Sequence, residues 1–115
     1  GAEVCRVTGA SHLVLAEYKA AVTSLTTGID TGDTDPYARY LRGSALLALG
    51  QFETALSDFD VTVAAQCETE KSRFNRAVCL VALHRDGAAE DLNWVLQNGT
   101  DPALRQEAAT LLENE

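Results

Sequence analysis

The side chains best suited to chemistry in this sequence of 115 residues are three cysteines (Cys5, Cys67, Cys79), two histidines (His12, His84) and the acid-rich run DTGDTDPY that begins at Asp30. A cysteine nucleophile needs a base beside it, yet Cys79 closely follows Ala77 on an apolar face and reads as a small core residue. An odd number of cysteines with no CxxC spacing and no nearby histidine pair argues against a disulfide framework and against a zinc site, and fits a reducing cytosol. The acidic run has carboxylates at alternate positions but no later glutamate to close a calcium loop. His12 and His84 fall far apart, near expected helix ends. With no GxGxxG, P-loop or HExxH either, the sequence predicts no catalytic residues, no metal, no cofactor and no enzyme. The acidic neighbours Asp58 with Asp60, and Glu90 with Asp91, are expected on a solvated face.

The elements that would carry these residues are helical. From Arg42 to Val63, apolar positions at Leu46, Leu47, Leu49, Ala55, Leu56, Phe59 and Val63 recur three or four apart, the period of an amphipathic helix. Gly50 interrupts the pattern where a left-handed backbone ends one helix, and Asp35 with Pro36 supplies an N-cap and first-turn proline upstream. The same reading along the chain predicts helices at 3–16, 18–29, 36–49, 52–65, 70–84 and 86–97, with a last one at 102–114 opened by Asp101 and Pro102.

These helices repeat. Gly9, Gly43 and Ala77 stand 34 residues apart, as do Leu15, Leu49 and Leu83. The second helix of the third unit fits better at 33, with Ala88, Asp91, Leu92 and Leu96 under Ala55, Asp58, Phe59 and Val63. One residue is therefore missing from that turn, together with the aromatic held by Tyr18 and Phe52. A fixed period of this length implies stacked helical hairpins, which bind along an extended surface rather than catalyse.

Small residues at Gly9, Gly43 and Ala77 and at Ala21, Ala55 and Ala88, aromatics at Tyr18, Phe52 and Phe59, and the helix–turn–helix period together resemble the tetratricopeptide repeat. The resemblance covers repeats at about 2–35, 36–69 and 70–101 plus a C-terminal helix, a single domain over 1–115. It departs from the family where Cys5, Arg39 and Arg73 occupy the early tryptophan slot. The sole Trp94 is expected to pack on the final helix, which is either a cap or the first helix of a fourth repeat. The resemblance implies an all-α, α-α superhelix whose first helices line a groove for peptides. Slot by slot, that groove comprises Arg6, Tyr37, Tyr40, Leu41, Ser44, Lys71, Phe74, Asn75 and Val78, flanked by Glu3, Val7, Ala10, Leu13 and Leu47. Tyr40 and Phe74 share a slot and are the expected anchors.

The net charge of -8 disfavours nucleic acid. No apolar run is long enough to span a membrane, and the first thirty residues lack a basic start followed by an apolar block, so a soluble, cytoplasmic protein is expected. The Gly-Ala start and the absence of Met read as an excised segment of a longer chain. The first-helix segments hold Arg6, Arg39, Arg42, Lys71, Arg73 and Arg76 against Glu3 and Glu70, six bases to two acids, leaving -12 elsewhere. A basic groove would draw an acidic peptide, with Arg6 and Lys71 steering it. Arg42 and Arg76 are expected to belong to the scaffold. Of the family's two-carboxylate clamp only the two basic positions survive: its slots hold Arg6 and Ala10, then Leu41, then Lys71 and Asn75, so a standard clamp is not expected. The expected function is a protein-interaction module, a scaffold or adaptor; the alternatives are self-association or a regulatory domain of a larger enzyme.

Overall fold

The computed structural model describes residues 17–114, which form six helices: α1 (Tyr18–Asp30), α2 (Pro36–Ala48), α3 (Phe52–Ala64), α4 (Thr69–Ala82), α5 (Ala88–Asn98) and α6 (Pro102–Glu113). The helix expected at 3–16, and with it Arg6, lies outside the described residues. Among the described residues no helix is long and apolar enough to cross a membrane.

Local chemistry fixes the helix starts. Asp35 and Asp101 accept hydrogen bonds from the backbone N–H groups of Tyr37 (2.9 Å) and Ala103 (3.0 Å), and Pro36 and Pro102 occupy the first turn. The ends of α1 to α4 share one device. At Gly50 the backbone turns left-handed (φ +77°), its N–H reaches the carbonyl of Leu47 at 3.0 Å, and Gln51 N–H reaches Leu46 at 2.9 Å. Gly32, Gln66 and His84 hold the same place after α1, α3 and α4.

Consecutive helices pack as antiparallel pairs, and α2 also touches α4, as α4 touches α6. Leu46, Ala55, Leu56, Phe59 and Cys79 make one buried cluster, Ala21, Leu25, Leu41 and Ala45 a second, and Ala77, Ala88, Leu92, Val95 and Ala108 a third. Each joins residues of neighbouring hairpins, so the core runs along the stack rather than filling one centre. Small residues permit the approach: a methyl built on Gly43 would lie 3.1 Å from Asp58 Cβ and from the ring of Phe59. The third hairpin starts its second helix at Ala88 rather than 86, after Gly87 with φ +108°. Trp94 packs against the cluster of Ala77, Ala88, Leu92, Val95 and the α6 residue Ala108, as Leu104 and Leu111 of α6 also do, and its ring carries the Arg73 guanidinium at 5.0 Å.

Candidate functional site

Residues three or four apart on a helix share a face, and the first helices present matching rows: Tyr37, Tyr40 and Ser44 on α2, Lys71, Phe74 and Val78 on α4. Tyr37 is 41% exposed and stacks on Tyr40, ring centroids 5.7 Å apart at 19°. Tyr40 in turn meets the buried Phe59 edge-on at 6.4 Å. Burial, and after it the nearby Glu68 carboxylate, pushes the Tyr40 phenol above its usual range. Tyr40 is thus partly scaffold, and Tyr37 is the freer ring. Ser44 donates its hydroxyl to the Tyr40 carbonyl at 2.9 Å. Phe74, Asn75 and Val78 are half-buried, and Lys71 is exposed and makes no ion pair among the described residues.

Leu41 departs from the expected row. It is only 7% exposed and packs with Ala21, Leu25 and Ala45, so it is core. One helical step of about 100° separates it from Tyr40, and α1 occupies that direction.

The expected sorting of charge is also corrected. Arg42 donates from Nε and Nη2 to the two carboxylate oxygens of Asp58 at 2.8 and 2.7 Å, while Arg39 Nη1 approaches the same group at 3.4 Å. One hairpin later Arg76 makes the same fork to Asp91 at 2.7 and 2.7 Å, and Arg73 donates at 3.1 Å. Both aspartates are 1% exposed, not solvated as their neighbours Asp60 and Glu90 are. Hydrogen bonding to these carboxylates holds Arg42 and Arg76 above the ordinary guanidinium range. Four of the six basic residues counted on the first-helix side are therefore internal fasteners between first and second helices. Arg42 and Arg76 were expected in the scaffold; Arg39 and Arg73 join them.

A feature of the site beyond the expected residues lies between α4 and α6. Phe74, Val78, Gln106, Glu107, Thr110 and Leu111 line an open, predominantly apolar cleft of about 350 Å³. Counted from Pro102, Gln106 and Thr110 hold the places that Tyr40 and Ser44 hold counted from Pro36, so extending the register past the third unit would have found them. Cys67, in the turn before α4, is half-buried, and burial raises its thiol pKa, with Glu68 and Asp35 adding to the effect.

No family model matches the sequence, and no curated protein matches it. Solved structures match its fold. The first TPR of Spaghetti (RPAP3), bound to the HSP90 peptide SRMEEVD, superposes with a TM-score of 0.84 at 24% identity, over 98% of this chain and 91% of that one. The Sgt2 TPR domain from Aspergillus fumigatus gives a TM-score of 0.82 at 19% identity, over 98% of this chain and 78% of that one. The shared property is the α-α superhelix of tetratricopeptide repeats.

Proposed function

We propose that this tetratricopeptide-repeat superhelix is a protein-interaction module, a scaffold or adaptor domain that binds a peptide segment of its partner along the first-helix face. The observation that carries this reading is the apolar strip left open there: the stacked Tyr37 and Tyr40 on α2, then Phe74 and Val78 at the mouth of the α4–α6 cleft. Rigid aromatic rings and an apolar recess supply contact area at little entropic cost. The structural neighbour that holds the SRMEEVD peptide supports a peptide as the class of ligand. That peptide is acidic, in keeping with the acidic partner expected above. In this chain, Lys71 is the described cation of the face with no internal partner, and Arg6 is the second candidate for such a role.

Testing the face requires variants that leave the core intact. Tyr40 leans on Phe59, so Tyr37→Ala with Val78→Gln is the better pair: the first residue is exposed, and Gln is a good helix former. A random peptide display library panned on the intact chain should enrich binders whose affinity falls about 10-fold or more in the double variant. Equal enrichment on both proteins would move the ligand to another surface.

A further inference from the structure

The two arginine forks differ in one contact. Arg76 Nη1 reaches a second carboxylate, Asp60 Oδ1 of α3, at 3.4 Å; Arg42 Nη1 meets instead the hydroxyl of Thr26 on α1, also at 3.4 Å. Thr26 and Asp60 stand 34 residues apart and hold the same slot of the repeat. At the later junction Arg73 and Arg76 pair with two carboxylates, Asp91 and Asp60, whereas among the described residues Arg39 and Arg42 share the single Asp58. Asp30 is exposed and acts on Arg42 through its field, which water screens.

A recess of about 330 Å³ opens at this place between α1 and α3, and Arg42 and Thr26 both line it. Val22 and Ser57 line it too, where the next repeat has the larger Leu56 and Glu90. We infer that this recess is a carboxylate site, in which a free organic acid or the Asp or Glu side chain of a partner supplies to Arg42 the acceptor that Asp60 supplies to Arg76. A guanidinium has five N–H donors and binds carboxylates by charge-assisted hydrogen bonds. The hydroxyls of Thr26, Thr54 and Ser57 and the amide of Gln51 offer further donors to the same ligand. The net charge of -8 repels anions at a distance, so occupancy rests on these short contacts. None of these residues belongs to the row of Tyr37, Tyr40 and Phe74, and the site is independent of the peptide-binding reading.

Titration of the intact chain at constant ionic strength, followed by backbone amide NMR shifts, tests the site with two probes. One is N-acetylglutamate α-amide, whose side chain is its sole carboxylate, and the other is glycolate, a free acid. Saturable shifts should gather around Thr26, Thr54 and Ser57, and the tighter probe tells a side-chain source from a free acid. Thr26→Asp, which installs the carboxylate of the later repeat, should weaken binding about 10-fold or more. Thr26→Val keeps the shape without the charge and should stay within about 3-fold of the wild type. Ser57→Glu, at an exposed helix position, should weaken binding about 3-fold or more by like-charge repulsion, and it carries the test if Thr26→Asp does not fold. The absence of saturable shifts with both probes would overturn the inference. So would wild-type affinity in Thr26→Asp or Ser57→Glu, or a loss in Thr26→Val as large as that in Thr26→Asp.

Discussion

Arg42 of α2 grips Asp58 of α3 with two parallel hydrogen bonds, and Arg76 repeats the grip on Asp91 of α5. The partners stand sixteen residues apart in one hairpin and fifteen in the next, so the one-residue deletion in the third turn is absorbed without losing the pair. Asp58→Ala would leave Arg42 with no counter-charge in a largely buried place, and should lower stability by about 3 kcal/mol. Arg39→Ala removes only a longer, half-exposed contact and should lower it by less than about 1 kcal/mol. Urea unfolding of the two variants tests the ranking; equal losses would mean that the fork is not the fastener.

Gly43 faces the same junction. Replacing a helical glycine by alanine ordinarily stabilises by about 1 kcal/mol. Here the new methyl would meet Asp58 Cβ and the Phe59 ring at 3.1 Å, the first fixed by its arginines and the second fully buried. Neither can retreat, so Gly43→Ala should destabilise by about 1–2 kcal/mol through overpacking. A rise in the thermal midpoint would show that the hairpin opens more easily than this geometry implies.

The helices were legible in the sequence because their signals are local: an Asp-Pro start, a left-handed end, an apolar residue every third or fourth place. The fate of Arg39 and Arg73, unlike that of Arg42 and Arg76, was not. A single arginine on an amphipathic helix reads as a solvated charge, and only the recurrence of Arg39, Arg42 and Asp58 as Arg73, Arg76 and Asp91 reveals a paired design. Leu41 and Tyr40 are adjacent in the chain, and which of them turns inward depends on α1 packing against α2, a relation between distant segments. The cleft was missed for a similar reason. Four of its six lining residues come from α6, which lies past the third period and carries no aromatic to continue the row.

His84 occupies the place of Gly50. Its backbone is left-handed at φ +54°, with its N–H on Val81 at 3.1 Å and Arg85 N–H on Leu80 at 2.9 Å, the same two bonds that close α2. A side chain in this region suffers a steric penalty that glycine escapes. The imidazole is exposed. His84→Gly should therefore raise stability by about 0.5–1 kcal/mol, after allowing for glycine's greater freedom in the unfolded chain. Chemical denaturation checks it; a loss would mean that the imidazole holds a contact worth more than the strain.

The buried thiol gives the stack an alkaline limit. Burial, with Asp60 adding to it, pushes the pKa of Cys79 up to about 11 from an ordinary 9.0. Below 9.0 the thiol is protonated whether the chain is folded or not, and it contributes no pH dependence there. Above that value the unfolded chain loses the proton while the folded chain keeps it, so ionisation favours unfolding and stability falls until the folded thiol itself titrates near about 11. Tyr40, also raised by burial, acts in the same direction from 10.0 upward. The urea midpoint should thus decline across this window, and Cys79→Ala should flatten the decline while costing about 1 kcal/mol at neutral pH for the lost packing. A thiol reagent should correspondingly label the half-exposed Cys67 well before Cys79 in the native state. An identical alkaline slope in Cys79→Ala would assign the limit to other groups.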